Sequence, residues 1–155
     1  MSKNKIFEKI KIKDAEFSNR IVVSPMCQYS AENGLMNDWH FQHLSQFGFS
    51  GVGLVMIEST AVENIGRITH NCTGIYDDPC LSSIKTTMEK VKALSLNEVK
   101  FGIQLGHAGR KASTQRPWEG RSYLRHNQKP WKTIAPSAIP FDKDWPIPKE
   151  MNDDD

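Results

Sequence analysis

A thiol and a phenol stand two residues apart at Cys27 and Tyr29, a few residues after the apolar run 21–23. The run is β-branched, which is typical of a short buried strand. Ser24-Pro25 discourages a helix there, because the residue before a proline favours extended backbone. Parallel α/β folds carry their chemistry just past the carboxyl ends of buried strands. We therefore expect Cys27 and Tyr29 to face a cofactor.

Gln104 is a further candidate, on the most regular strand pattern of the chain. Large apolar residues alternate there with Lys, Gly and Gln over 99–106. If the large set packs on helices, Gln104 points into a parallel barrel near its mouth. Its amide can offer a donor and an acceptor to the edge of a heteroaromatic ring. The alternative is that it satisfies a buried backbone group.

The elements that must position these side chains follow a β-α-β-α-β order. The pattern predicts a hairpin over 6–20 with its turn at Asp14-Ala15, and strands that start near 21, 53 and 99. It also predicts a helix capped by Asn37 or Asp38. A second helix has Asp78 as its cap and Pro79 at its first position. The second helix carries an apolar stripe of Ile84, Met88, Val91 and Leu94. Strand spacings of roughly 30–45 residues suit βαβ units. We expect residues 21–106 to hold three strands, the first over 21–26, and two helices.

Residues 107–148 lose all periodicity and hold six of the eight prolines and three of the four tryptophans. A long loop after a strand is usually a lid or binding loop, so we expect it over the catalytic face. Acidic residues after Pro148 predict the start of a helix. A complete (β/α)8 barrel needs about 250 residues. The 155 residues are therefore predicted to be an α/β chain holding the N-terminal part of such a barrel.

Composition excludes several classes of protein. Charge is nearly balanced, with 20 Lys and Arg against 18 Asp and Glu, which gives no reason to expect nucleic acid or an anionic membrane as partner. The chain has no apolar run approaching the roughly 20 residues of a membrane span. Its three cysteines form no metal-ligand pattern. We predict a reduced, cytoplasmic protein without structural disulfides or a metal.

A series of short motifs resembles the Old Yellow Enzyme family, in its thermophilic-like, xenobiotic-reductase branch. The motifs occur in the family's order over essentially the whole chain. They are NRIV at 19–22, SPMCQY at 24–29, DWH at 38–40, ESTAV at 58–62, GRIT at 66–69, QLGHAGRK at 104–111, RPWEG at 116–120, APSA at 135–138 and PKEM at 148–151.

The resemblance implies a TIM barrel that binds FMN noncovalently and uses NAD(P)H to reduce the C=C bond of enals and enones. By the same resemblance, Ser24, Pro25 and Met26 contact the flavin ring and Cys27 lies near flavin N5. Tyr29 hydrogen-bonds the substrate carbonyl. Ser59 contacts the flavin through its backbone, and Gln104 binds the pyrimidine edge.

The resemblance also places groups outside these 155 residues. In the family, three groups come from later strands: the His-x-x-His or His-x-x-Asn pair that holds the substrate carbonyl, the proton-donating tyrosine, and the FMN phosphate contacts. Two readings therefore stay open, an ene-reductase or its N-terminal portion, and a truncated barrel fragment that binds FMN weakly or not at all. The resemblance leaves open whether the full-length form is a homo-oligomer.

The long loop keeps an alternative of its own. Its Arg and Lys residues between 110 and 132 stand among little acid, with Glu119 as an exception. They form either a solvated loop face or a landing patch for the NADPH phosphate. A flavin-independent nucleic-acid module is a third reading, but the loop lacks regular aromatic interleaving.

Overall fold

The computed structural model describes residues 4–155 and begins with a small antiparallel hairpin. Strands β1 (Ile10–Ile12) and β2 (Ala15–Phe17) pair in the register Ile10 to Phe17. A hairpin is present as predicted but is shorter than 6–20, since Lys5–Phe7 form a 3-10 turn, and its own turn lies at 13–14 and not at Asp14-Ala15. Lys13 takes the left-handed backbone, with φ of 50°.

A three-stranded parallel sheet follows, in the order β3 (Val22–Val23), β4 (Leu54–Ala61) and β5 (Lys100–Gly106). Helix α1 (Asp38–Gly48) connects β3 to β4, and helix α2 (Asp78–Leu94) connects β4 to β5. This order is the first part of a (β/α)8 barrel, as the sequence predicts. Within residues 4–155 the three strands form an open sheet and no closed barrel.

Both helices begin at well-formed caps. The Asn37 side chain accepts from the Trp39 amide at the start of α1. At α2 the cap is Asp77, whose carboxylate accepts from the Cys80 amide at 2.8 Å, so the predicted cap at Asp78 is one residue late. Neither α1 nor α2, the α-helices of the described part, is long and apolar enough to cross a bilayer.

The core lies between the helices and one face of the sheet. It consists of buried side chains from α1, β4 and α2 together with two neighbouring positions, namely Met36, Leu44, Val55, Ile57, Ile84, Met88, Val91 and Val99. Phe101 and Ile103 of β5 pack against this cluster, as the alternation predicts. Leu94, the last member of the predicted α2 stripe, is exposed because the helix ends there.

The first strand is shorter and more open than the sequence predicts. Regular strand covers Val22–Val23 and not 21–26, and Val22 is 54% exposed. Pro25 cannot donate to a ladder, and β3 pairs with β4 on one side only, so that it is an edge of the sheet. Leu105, near the end of β5, is also exposed and does not pack on a helix, because the chain runs on into the loop.

Residues 107–148 have local structure of their own. They contain short 3-10 turns at Gly109–Lys111, Pro117–Glu119 and His126–Gln128. Strand β6 (Ile134–Ala135) pairs in parallel with β7 (Lys149–Glu150). The helix predicted after Pro148 is therefore wrong. The Asp155 carboxylate accepts from Lys149 Nζ and from the Asn152 amide, which closes a turn after β7.

Candidate functional site

A cavity of about 600 Å³ lies at the carboxyl ends of β4 and β5. Ser59 of β4 and Gln104 of β5 are register partners and both line it, and Tyr29 lines it from the segment after β3. The register of β4 shifts between Ile57 and Ser59, and this bulge brings Ser59 opposite Gln104. Three residues predicted from separate stretches of sequence thus meet in one cavity.

The other wall comes from the long loop. Lys111, Arg121, Phe141 and Trp145 line the cavity from that side. The Phe141 and Trp145 rings lie 4.7 Å apart, and Lys111 Nζ stands 5.3 Å from the centre of the Phe141 ring. An amide and a hydroxyl on one wall and cations with aromatic rings on the other suit a planar heteroaromatic ligand with polar edges. The volume also falls within the roughly 300–1,000 Å³ of ligand sites.

Tyr29 adopts a conformation that a bulky residue rarely takes, with φ of 51°. Its ring meets Trp118 edge to face, with the ring centres 5.8 Å apart. Burial is the main cause that raises the pKa of its phenol, Cys27 and Glu58 add to the rise, and Arg121 opposes it. The phenol therefore stays protonated at neutral pH and can donate a hydrogen bond.

Four predicted contact residues do not line this cavity. Ser24 and Met26 are exposed, and Pro25 and Cys27 are partly buried, along the segment that leads to Tyr29. This segment follows an edge strand, and among residues 4–155 no further strand pairs with β3 on its outer side. The assignment of these four residues to a flavin stays a prediction.

The Cys27 thiol is held in its protonated form. Desolvation by burial raises its pKa to about 11, with smaller contributions from Cys72 and Glu58, while the Ser59 backbone amide acts in the opposite direction. The thiolate is the nucleophilic form of cysteine. Cys27 is therefore suited to a neutral contact and not to nucleophilic chemistry.

We predict that iodoacetamide alkylates Cys27 slowly at pH 8, where a pKa of about 11 leaves about one thiol in a thousand ionised. Between pH 7 and 9.5 the rate should rise about tenfold per pH unit without a plateau. Peptide mass spectrometry distinguishes Cys27 from the buried Cys72 and Cys80. A plateau setting in near pH 8.5, as for an ordinary thiol, would contradict this environment.

Sequence reasoning missed a buried pair behind this segment. His40 and Glu58 are 2% and 4% exposed, and His40 Nε2 lies 3.2 Å from Glu58 Oε1. The other carboxylate oxygen accepts from the Gln28 amide at 3.0 Å. The only available signal was that His40 falls within the DWH motif and Glu58 within the ESTAV motif, and neither residue had been given a role.

Part of the basic run serves the loop itself. The Arg110 guanidinium donates to the Ile139 carbonyl and to Ser137 Oγ. Arg116 pairs with Glu119 at 2.6 Å and lies over the Trp118 ring. Arg110 and Arg116 therefore already have partners within the loop. The phosphate-binding patch stays a prediction.

The fold and the cavity define the chain as the first part of a parallel α/β barrel with a candidate heteroaromatic site at its strand ends. Comparison with known sequences identifies the family. The profile of the NADH:flavin oxidoreductase / NADH oxidase family, an FMN-dependent family, matches residues 5–154. The chain belongs to this family, in agreement with the resemblance to Old Yellow Enzyme, and FMN and a nicotinamide dinucleotide are the cofactors that the family implies.

Curated relatives are longer than this chain. An NADPH dehydrogenase of Listeria monocytogenes serotype 4a is 39% identical over 150 residues, which are 96% of this chain and 39% of that protein. An NADH:flavin oxidoreductase of Gibberella zeae is 39% identical over 155 residues, 97% of this chain and 37% of its own. The chain thus spans about two fifths of the length of these relatives.

Solved structures agree on the fold. Old Yellow Enzyme from Pichia sp. AKU4542 superposes with a TM-score of 0.69 at 24% identity, covering 89% of this chain and 33% of that one. Morphinone reductase in complex with tetrahydroNAD gives 0.73 at 18% identity, covering 97% and 42%. At these identities the likeness supports the partial barrel and carries no residue roles.

Proposed function

We propose that the cavity at the ends of β4 and β5 is the ring-binding side of an FMN site, and that the protein uses NAD(P)H to reduce the C=C bond of α,β-unsaturated carbonyl compounds. The observation that carries the proposal is the convergence of Tyr29, Ser59 and Gln104 on one cavity. FMN, when bound, supplies the hydride chemistry.

The chain's own residues supply binding and polarisation. The Gln104 amide offers a donor and an acceptor to the pyrimidine edge of the ring, and Ser59 beside it adds polar backbone and a hydroxyl. Tyr29 donates its phenol proton as a hydrogen bond to the substrate carbonyl oxygen, where enolate charge develops during reduction. Its raised pKa keeps that proton in place at neutral pH.

The remaining predicted residues complete the proposal. Ser24, Pro25 and Met26 lie along the flavin ring, with Cys27 near N5 as a neutral thiol. The loop at 107–148 covers the catalytic face, which the cavity wall formed by Lys111 and Arg121 supports. The exclusion of water by such a loop strengthens the hydrogen bonds made inside.

A coupled assay tests the proposal. Protein supplied with FMN and NADPH should oxidise NADPH faster when 2-cyclohexenone is added under nitrogen, and gas chromatography should find cyclohexanone as the product. NADPH oxidation that needs oxygen and ignores the enone would contradict ene-reduction. Formation of cyclohexenol would place the chemistry on the carbonyl group instead.

Replacing Tyr29 with phenylalanine should lower kcat/KM for the enone by about tenfold, the value of one neutral hydrogen bond. Flavin affinity should not change, because the phenol is assigned to the substrate and not to the ring. The measurement is steady-state kinetics of the variant beside an FMN titration. An equal loss in FMN affinity would mean that Tyr29 contacts the cofactor and not the substrate.

A second candidate is that residues 1–155 alone bind the flavin ring weakly and do not turn over. The open sheet favours it, because β3 and β5 are both edges in the described part. The same assay separates the candidates, since ring binding without turnover would give flavin fluorescence quenching and no enone-dependent NADPH oxidation.

A further inference from the structure

The segment 26–30 is held by a polar network that reaches it from two other elements. From β4, Glu58 Oε2 accepts from the Gln28 amide at 3.0 Å. From the start of α1, Trp39 Nε1 donates to Gln28 Oε1 at 3.1 Å and Asn37 Nδ2 donates to the Ser30 carbonyl at 2.8 Å. Within the segment, Gln28 Nε2 donates to the Met26 carbonyl at 2.8 Å.

The centre of this network is a charged group that water does not reach. Glu58 is 4% exposed and sits at the bulge of β4, where it has no register partner in β5. Its second oxygen faces His40 Nε2 at 3.2 Å. A buried carboxylate is costly unless it is paired and hydrogen-bonded. Such a group at an irregular point of a strand therefore needs an explanation beyond packing.

His40 is oriented toward Glu58 by Asn37. Its Nδ1 accepts from the Asn37 amide at 3.1 Å and lies 3.0 Å from Asn37 Oδ1. With Nδ1 as the acceptor, the ring hydrogen is on Nε2, the atom that faces Glu58 Oε1.

The conformation of Tyr29 shows what the network has to hold. With φ of 51° its backbone is in the left-handed region, which persists only when the surroundings enforce it. Gln28, the residue immediately before it, is fixed through its amide, its side-chain oxygen and its side-chain nitrogen.

We propose that Glu58, which faces His40, is a positioning residue that fixes the backbone of segment 26–30, so that Tyr29 reaches the cavity and Cys27 lies close to the carboxylate. The role of Tyr29 in this statement rests on the proposed function. The test below uses neither flavin nor coenzyme, so that its failure is separate from a failure of the ene-reductase assignment.

Two substitutions separate the hydrogen bond from the charge. Glu58→Gln keeps an oxygen that accepts from the Gln28 amide but removes the negative charge, whereas Glu58→Ala removes both. The ionisable groups around Cys27 are Glu58, Cys72 and Tyr29, with His40 behind Glu58. Loss of the anion should stabilise the Cys27 thiolate, because a nearby like charge disfavours it.

The measurements are alkylation of Cys27 by iodoacetamide between pH 7 and 9.5, and hydrogen exchange of the Gln28 amide. In Glu58→Gln we expect Cys27 to react about threefold faster at every pH, with Gln28 still protected. In Glu58→Ala we expect faster alkylation and loss of Gln28 protection. Retained protection of the Gln28 amide in a folded Glu58→Ala variant would overturn the proposal, because the carboxylate would then not hold the segment. Unchanged Cys27 reactivity in Glu58→Gln would also overturn it, because Cys27 would then not lie close to the carboxylate, and this result decides where Glu58→Ala does not fold.

Two controls distinguish positioning from general loosening. Glu63 faces another histidine, His107, at 3.1 Å, but its carboxylate is largely exposed. Glu63→Gln should therefore leave the alkylation rate of Cys27 unchanged. Val91→Ala opens a cavity in the core on α2, outside the network. If Val91→Ala accelerates Cys27 alkylation as much as Glu58→Gln does, the effect is local opening and the proposal is wrong.

Discussion

Replacing His40 with alanine is expected to lower the free energy of unfolding by about 3–5 kcal/mol, because it removes the imidazole that faces the buried Glu58 carboxylate and leaves the Gln28 amide as the remaining donor. Both side chains lie in the interior, where water cannot replace the lost imidazole. Urea or guanidinium denaturation followed by circular dichroism measures the change. A loss below about 1 kcal/mol would mean that His40 does not help to hold the buried Glu58 carboxylate.

His43 on the same helix provides the matched control. It is half-buried and its ring packs edge-on against Phe47, with the ring centres 5.2 Å apart. His43→Ala should cost under about 1 kcal/mol, because no buried charge loses its partner. The double variant His40→Ala with Glu58→Gln should recover part of the stability lost in His40→Ala, because the amide side chain that replaces Glu58 has no charge that could be left unpaired.

Replacing Gly53 with alanine should cost about 2–3 kcal/mol, the upper part of the roughly 1–3 kcal/mol typical of overpacking. Gly53 lies where all three parallel strands begin. Its amide lies 3.0 Å from the Ile21 carbonyl and 2.9 Å from Asn19 Oδ1, and its carbonyl accepts from the Lys100 amide. A methyl group here would stand 2.5 Å from the Asn19 carbonyl oxygen, which is backbone and cannot swing aside.

Gly51→Ala is the control two residues away. Gly51 has φ of 80° but open space around its Cβ position, with Leu96 at 3.9 Å. Its expected cost is about 1 kcal/mol, from backbone strain alone. If Gly51→Ala lowers the free energy of unfolding as much as Gly53→Ala does, the close approach of Gly53 to Asn19 is not the cause of the loss in Gly53→Ala.

Much of the fold could be predicted because periodicity reports which face a residue buries. The alternation at 99–106 placed Phe101 and Ile103 on the helix side and Gln104 on the opposite side, as observed. The same reasoning failed at Leu105 and Val22, because their burial depends on neighbours that periodicity within one segment does not reveal. Caps were predicted to within a residue, since Asp77 and Asp78 are chemically alike.

The candidate site could be predicted only in part. Tyr29 and Gln104 follow from strand ends, but Ser59 was predicted only through the resemblance, and it faces Gln104 only because of the bulge at Glu58. No pattern within a single sequence predicts where a β-bulge will occur. His40 and Glu58 were missed for a related reason, because their contact joins α1 to β4 across sequence positions that carry no shared period.

The C-terminal error has a local cause. Acidic residues after Pro148 resemble a first helical turn, yet the Lys149 amide donates to the Thr133 carbonyl and the Met151 amide to the Ala135 carbonyl. These two bonds bind the segment to β6 as a strand. A pairing partner 16 residues away in sequence, Thr133 to Lys149, competes with the helix and wins.

The central claim is that the cavity bearing Gln104 holds the flavin ring, and titration of FMN and of lumiflavin by fluorescence quenching tests it most directly. Lumiflavin lacks the phosphate, whose contacts the family resemblance assigns to later strands. This chain should therefore bind both with similar affinity, and Gln104→Ala should weaken both by about tenfold. The control is Gln115→Ala, a glutamine on the loop wall bound to Gln128, with less than about a twofold effect. If Gln104→Ala leaves both affinities unchanged, or neither flavin binds, the cavity is not the ring site.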